Sequence, residues 1–332
     1  MKAAARGAAL VLALGASPAA PLEAPSGQVL LAQTAPRAQA MGGACAAARG
    51  DLGPLFCNPA GLAGFKGPEA AASQFLFPGG EFDGETRLRG GWFGAGAGLP
   101  KKGGTFAAGA TLARLEYPSF DATGGWSGLS SQSDVAVRLA YARPLSGALR
   151  AGAALQFLKE ELMADQSGET RSPQAKGKAW ALDAGVQSER GPWKLGAFLY
   201  GLGLGRWTLE GYPDGSGEAD LKLAQGLRLG AARELEGPGA KAVLLAADLD
   251  LPLYLRGVSV RLGAEVRPSR HLGIRAGVSA ARLKGFGWGV TPSMGLDLRV
   301  GRIAFFAAYD LDAFQNRFTT GQIGIVGYPF ED

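Results

Sequence analysis

Downstream of its first residues the sequence has no apolar run of about eighteen residues, the length at which a transmembrane helix becomes a candidate. It has one histidine, His271, and two cysteines, Cys45 and Cys57. No zinc-ligand spacing and no glycine-rich phosphate loop leading into a helix is present. Basic and acidic residues are interleaved without a compact basic run. We therefore expect no metal, no cofactor and no nucleic-acid partner.

The sequence also offers little for catalysis. His271 lies in the tight turn 268–271, whereas a serine or aspartate triad on a β-barrel would need its histidine at the opposite, outer rim beside an orienting partner. Asp248 and Asp250 form a close carboxylate pair, but alternate positions on a polar strand face ordinarily carry such residues. We expect a protein without enzymatic activity.

What the sequence has in abundance is glycine, with 53 residues, and short segments in which apolar and polar residues alternate. In 258–267, the residues Val258, Val260, Leu262 and Val266 occupy one parity, while serine, arginine, glycine and glutamate occupy the other. A period of two indicates a strand with unlike faces. One apolar and one charged face, repeated over many strands, is typical of a transmembrane β-barrel.

The connections between these segments alternate strictly between short and long. The tight ones are 100–104, 143–147, 188–192, 235–240, 268–271 and 300–302. The long, polar ones include 118–130, 161–177 and 206–218. In an outer-membrane barrel the periplasmic turns are short and the outer loops are long. The sequence therefore predicts an all-β fold, a transmembrane antiparallel barrel of about fourteen strands.

The fourteen predicted strands are 69–77, 84–99, 104–117, 131–143, 147–160, 178–188, 192–206, 219–235, 240–254, 258–267, 271–282, 286–299, 302–312 and 318–330. On the face toward the lumen we expect a lattice of mixed charges. Its members are Arg87, Arg89, Asp134, Arg138, Arg150, Asp183, Lys222, Arg228, Asp248, Asp250, Arg261, Glu265, Arg275, Asp297, Arg299 and Asp310. The aromatic residues expected at the membrane interfaces or on apolar faces are Trp92, Trp180, Trp193, Tyr141 and Tyr309.

Three regions are expected along the chain. Residues 1–19 have the basic start, short apolar core and small-residue cleavage site of an export signal. Residues 20–68 do not alternate and form a lead-in and a compact segment, and 69–332 form the barrel. A fourteen-stranded barrel is too wide for its own side chains to fill, so we expect the compact segment to plug it. For Cys45 and Cys57, a disulfide closing this small loop and two buried thiols are both compatible with the spacing.

Two motifs in the compact segment carry a resemblance. Arg37-Ala-Gln-Ala-Met41-Gly42-Gly43-Ala is followed downstream by Asn58-Pro59-Ala60-Gly61-Leu. Together they resemble the N-terminal signature of the PorV/PorQ family of outer-membrane proteins, which are relatives of the long-chain fatty-acid transporter (FadL-like) barrels. Cys57 and Cys45 stand where that family commonly has aromatic residues. The resemblance implies a fourteen-stranded barrel with an N-terminal hatch.

The same resemblance implies two alternative functions. One is transport of hydrophobic or amphipathic small molecules across the outer membrane, and the other is a non-enzymatic role as shuttle or binding component for secreted proteins. The expected partners are outer-membrane lipid, a hydrophobic small molecule and a secreted protein. We assign the motif residues to the structure of the plug, because Asn-Pro forms turns and Gly-Gly permits close approach to the wall.

Overall fold

The alternating segments do form strands in the computed structural model. It describes residues 35–328 except 66, 77–86, 100–102, 121–125, 164–173, 211–216, 222, 238–239, 254–256, 283–287 and 313–316. The predicted signal peptide lies outside the described residues. Among those that are described, no helix reaches the length and apolarity needed to cross a membrane.

A short helix and two 3-10 turns precede the strands. The helix α1 spans Pro36–Ala40, and the 3-10 turns span Gly53–Phe56 and Pro59–Leu62. The strands follow in chain order: β1 Glu69–Leu76, β2 Arg87–Gly98, β3 Thr105–Phe120, β4 Trp126–Pro144, β5 Leu149–Met163, β6 Gln174–Arg190, β7 Trp193–Glu210, β8 Gly217–Leu221, β9 Gly226–Gly237, β10 Ala240–Pro252, β11 Val258–Arg267, β12 Leu272–Arg282, β13 Trp288–Val300, β14 Ile303–Asp312 and β15 Arg317–Gly327.

The strands close into one antiparallel barrel. Strands β1 to β8 pair in chain order, as do β9 to β15, while β1 pairs with β15 and β7 with both β8 and β9. Because β8 and β9 together occupy one place in the ring, the barrel has fourteen strand positions, as predicted. One edge has the connections 99–104, 145–148, 191–192, 238–239, 268–271 and 301–302, and we call it the short-turn edge. The opposite one is the long-connection edge.

Two predicted boundaries are wrong in an informative way. The expected loop 118–130 is mostly strand, since β3 and β4 stay paired out to Phe120 and Trp126. The expected strand 219–235 is divided into β8 and β9. The β3–β4 pair extends through polar Ser, Gln and Gly residues beyond the band of the barrel that faces lipid. Beyond that band, the outer face of a strand no longer needs to be apolar.

Alternation sorts the side chains as a membrane barrel requires. Outward positions carry exposed apolar residues, among them Phe93, Leu139, Ile274 and Phe305, each at least 50% exposed. In β2, however, the predicted faces are reversed. Trp92 is 4% exposed and contacts Phe56 inside the barrel, with ring centroids 4.9 Å apart. Arg89 is exposed on the outer side, opposite Arg114 of β3.

Residues 35–65, which we call the inner segment, lie against the inner face of the barrel. Asn58 donates hydrogen bonds to the carbonyls of Val186 and Ala197 on β6 and β7. At the other side of the ring, the amide of Gly42 donates to Ser293 of β13 over 2.8 Å. Leu52, Leu55 and Leu62 of the segment are almost completely buried. The core of this protein therefore lies between the inner segment and the wall.

Candidate functional site

The inner segment is held by hydrogen bonds and ion pairs to inward-facing side chains of the wall. Asp248 of β10 accepts from the backbone amides of Cys45 and Ala46 over 2.7 and 2.8 Å. Gln187 of β6 donates to the carbonyl oxygens of Ala46 and Ala48. Two strands of the same part of the wall, β6 and β10, thus bind the same short stretch of backbone.

Arg37, the first residue of the first motif, joins the segment to β11. Its Nε donates to Glu265 over 2.8 Å, and its Nη1 donates to Asp51 over 3.0 Å. Burial alone would lower the pKa of the Arg37 guanidinium, but the two carboxylates outweigh it and raise that pKa above its usual value. The guanidinium therefore stays charged at any physiological pH.

The remaining motif residues shape the segment and its contact with the wall. Met41 packs against β11, and Gly42 and Gly43 have φ values of 65° and 84°, which a residue with a side chain rarely adopts. Asn58 is completely buried, and its Oδ1 accepts from the amide of Ala60 at the start of the 3-10 turn Pro59–Leu62. In this turn Gly61 lies too close to the carbonyl of Ala48 to carry a Cβ.

The two cysteines are bonded to each other. The Cys45–Cys57 disulfide has its Cα atoms 6.2 Å apart, and both residues are buried. Arg228 of β9 points its Nη1 at the two sulfur atoms, 3.2 and 3.5 Å away. The same guanidinium pairs with Asp250 over 2.8 Å, and Asp250 also pairs with Arg261. The disulfide therefore faces a charge network of the wall.

Wall glycines allow the inner segment to approach the strand backbones. A Cβ added to several of them would overlap the segment, among them Gly152, Gly185, Gly196, Gly263, Gly277 and Gly295. The sequence predicts close packing against the plug for the strand glycines too, such as those of 94–98. An inward-facing glycine in the middle of an amphipathic strand was the signal that pointed to the matching contacts.

Replacing Gly185 with alanine should destabilise the barrel by about 1 to 3 kcal/mol, the usual cost of forcing extra volume into a packed site. The new Cβ would overlap the side-chain amide of Asn58, which donates hydrogen bonds to Val186 of the wall and to Ala46 of the segment. Samples are heated to increasing temperatures before electrophoresis, and the temperature at which the band of the folded form disappears reports the change. Gly147→Ala is the matched control, because nothing lies within 4 Å of a Cβ there. Equal stability of the two variants would contradict the contact.

The ladder of the wall is interrupted between β7 and the β8–β9 position, where Ala224 and Gln225 lie beside 201–203. The ladder from β7 to β9 ends at Tyr200 and Gly226, and the ladder to β8 resumes at Gly205 and Leu221. Residues 201–204 belong to neither ladder. On the β6 side, two β7 residues oppose Asp183, which is the two-against-one pattern of a β-bulge.

Opposite this interruption, the chain bends into the lumen. Continued alternation from β9, where Arg228 and Ala232 are buried, would turn Leu223 outward. Instead Leu223 is 7% exposed and lies in one cluster with inward-facing residues of the facing strands. The other members of this cluster are Ala136, Leu158, Ala175, Ala179, Ala181 and Leu162. The lumen next to the interruption is therefore lined by small and apolar side chains.

The interruption lies closer to the long-connection edge than the inner segment does. Along β7 the segment contacts Gly196, and the unpaired stretch begins five positions later, at Gly201. At about 3.3 Å per residue this separates the two by roughly 15 Å along the strand. A molecule entering from the long-connection edge would reach the interruption before the segment. Among the described residues, no group of three or more His, Cys, Asp or Glu side chains could hold a metal ion.

Comparisons with known proteins bear on the fold. No protein-family model matches the sequence, and no curated protein matches it. Solved structures do match. The Pseudomonas putida toluene transporter TodX is 14% identical, covering 87% of this chain and 95% of its own, with a TM-score of 0.61. The monoaromatic hydrocarbon channel CymD is 14% identical, covering 93% and 100%, with a TM-score of 0.58.

A Pseudomonas aeruginosa FadL homologue is 10% identical, covering 88% of this chain and 97% of its own, with a TM-score of 0.59. The coverage extends over nearly the whole length of each protein. The barrel is therefore FadL-like in fold, which agrees with the coarser part of the resemblance seen in the sequence. The solved structures named here are described as transporters, channels and a FadL homologue, not as enzymes.

Proposed function

We propose that this protein is an outer-membrane channel through which hydrophobic small molecules pass. The apolar outer face suits a barrel surrounded by lipid. The toluene transporter and the hydrocarbon channel share its fold and support this class of cargo. On the same ground we propose export by the predicted signal peptide and a non-enzymatic role.

We further propose that the inner segment is the plug predicted from the sequence. The segment bonds to β6 and β7 through Asn58 and, almost half of the ring away, to β13 through Gly42, so it reaches across the lumen as a plug must. A water-filled pore would let polar solutes pass, whereas a plugged barrel with a side exit selects for molecules that dissolve in lipid. This distinction favours a hydrophobic cargo.

The observation that carries the proposal is the interruption of the wall beside 201–204. It lies on the far side of the inner segment from the short-turn edge, next to the apolar cluster around Leu223. A hydrophobic molecule that enters from the long-connection edge would find an apolar surface there, and then a stretch of wall without a continuous ladder. Leaving sideways into the lipid avoids the plug and also avoids water.

Ala181→Phe tests this route. Ala181 faces the lumen on β6 and is the register partner of Gly203, inside the unpaired stretch. A phenyl ring at this position should fill the apolar lumen surface beside the interruption. We expect uptake of radiolabelled toluene by intact cells whose outer membrane contains the variant to fall to the rate of cells that lack the protein.

Ala247→Phe is the matched control. Ala247 is exposed on the outer face of β10, so its ring would meet lipid and leave the lumen unchanged. The control should transport toluene like the unaltered protein. A folded Ala181→Phe protein with normal uptake would show that cargo does not pass this point, and equal loss in both variants would indicate a general effect of added bulk.

The finer family assignment is also a proposal. The motifs at 37–44 and 58–62 support a place in the PorV/PorQ branch of the FadL-like barrels. A role as shuttle for secreted proteins remains the alternative. It depends on the long connections, and 164–173 and 211–216 lie outside the described residues. Capture of a secreted protein that is lost when these loops are shortened would favour it.

A further inference from the structure

Three positively charged residues lie side by side on the outer face of the barrel. Lys159 of β5 is the register partner of Lys178 of β6, and Lys178 is the register partner of Arg206 of β7. All three belong to the outward-facing parity of their strands, and Lys178 and Arg206 are exposed. The side chain of Lys159 is 44% exposed. We call these residues the cationic row.

Such a row is unfavourable within the protein alone. Cross-strand partners have Cβ atoms about 5 Å apart, and like charges in that position destabilise a sheet. Lys159 pairs with Glu161 over 2.7 Å, and at the other end Asp220 of β8 is the register partner of Arg206. Within the described residues the central Lys178 forms no ion pair. The row therefore has an excess of positive charge at its centre.

The neighbouring charges do not remove this excess. The next residues toward the long-connection edge are Glu161, which already pairs with Lys159, and its register partner Lys176. On β8, Glu218 is the partner of Thr208 and lies beyond the Arg206 end. Acidic residues therefore lie at the two ends of the row. Lys178, at its centre, faces outward and has no acidic register partner.

A second row shows where the cations lie relative to lipid. Two residues closer to the middle of the same strands, Phe157 is paired with Trp180, and Trp180 with Leu204. Trp180 is 56% exposed and Leu204 is 88% exposed, and the Phe157 and Trp180 rings are 5.0 Å apart. Exposed aromatic residues mark the membrane interface of barrels. The cationic row therefore lies just beyond it, at the height of lipid headgroups.

We propose that the cationic row binds the phosphate group of a membrane lipid in the leaflet at the long-connection edge. The phosphate lies over Lys178 between Lys159 and Arg206, and the acyl chains cover Trp180 and Leu204. The apolar row beside the cations favours a phosphate attached to a lipid over a free ion. The proposal rests on the membrane placement given above. It places a bound lipid at the wall interruption, since Arg206 follows 201–204 on β7.

The test measures binding of diphosphorylated lipid A to the full-length protein in phosphatidylcholine nanodiscs. Lys178→Gln should weaken binding about fivefold, the effect of removing one cation near an anionic lipid surface. The matched control is Arg282→Gln. Arg282 is an exposed, outward residue at the same edge, but its register partners are Val258 and Trp288, so it belongs to no row. It should bind the lipid like the unaltered protein.

Lys178→Glu separates binding from folding. In a neutral detergent it should unfold at the same or a higher temperature, because a glutamate between Lys159 and Arg206 relieves their repulsion, while lipid A binding is lost. Unchanged binding by Lys178→Gln, equal loss in Arg282→Gln, or a lower unfolding temperature of Lys178→Glu would each overturn the proposal. So would displacement of the lipid by millimolar inorganic phosphate. A protein that does not enter nanodiscs would instead refute the membrane placement itself.

Discussion

Deletion of residues 37–65 is expected to turn the barrel into an open, water-filled pore. A ring of fourteen strand positions encloses a lumen that its own side chains do not fill, and the plug we propose, the inner segment packed against the wall, would supply the missing volume. Planar bilayers containing the deleted protein should show stable ionic conductance, and vesicles should admit small sugars. The full-length protein should do neither under the same conditions.

The interpretation of that experiment depends on the deleted barrel being folded. Asp248 and Glu265 lose their contacts with the segment, so the variant must first migrate differently on gels before and after boiling, as a folded barrel does. Asp248→Asn keeps the whole chain and weakens a single attachment, so it should show brief, rare openings. A folded deletion barrel that remains closed would refute the plug, while leaving the barrel fold intact.

The strands and their order could be predicted from the sequence because lipid and lumen impose opposite demands on alternate residues. The segment 258–267 matches β11 at both ends, since each of its apolar residues had to lie on one face. The alternation of short and long connections identified the two edges for the same reason. Both signals are local, so a single sequence contains them.

The faces of β2 could not be predicted in this way. The rule that apolar residues face lipid fails where the inner segment presents apolar residues to the wall. Phe56 makes the inside of the barrel a suitable environment for Trp92, and Arg89 is consequently on the outside. The direction of the β2 side chains depends on which residues of the inner segment contact this strand. That contact joins residues far apart in the sequence.

The division of β8 and β9 was missed for a related reason. Leu223 continues an acceptable alternating pattern, and only its packing with Leu158 and Ala179 across the lumen turns it inward. Likewise, Asp248 was seen as one polar residue among several on an inner face. Its role became visible only when the amides of Cys45 and Ala46 were found beside it. These contacts join residues more than 200 positions apart, and such contacts produce no periodic pattern in the sequence.

The ion-pair network around Glu265 should show the largest effect of a single substitution on stability. Glu265 is 2% exposed and accepts from Arg37 over 2.8 Å and from Arg275 over 2.9 Å. Glu265→Gln keeps the shape and removes the charge that Arg37, Arg267 and Arg275 share, which leaves Arg37 with Asp51 and Arg275 with Asp297 as their remaining carboxylates. Breaking a buried pair in this manner costs about 3 to 5 kcal/mol. Urea unfolding of the barrel from lipid vesicles measures the change in free energy.

The control is Glu161→Gln, which removes the same chemical group from the exposed Lys159 pair, where both side chains are more than 40% exposed. Its expected cost is about 0 to 1 kcal/mol, because water screens and replaces such pairs. Adding Arg37→Met to Glu265→Gln should recover part of the lost stability, since it removes one of the three positive charges that Glu265 compensated. If the double variant is no more stable than Glu265→Gln alone, buried charge is not the cause, and the loss must be assigned to the hydrogen bonds of the segment.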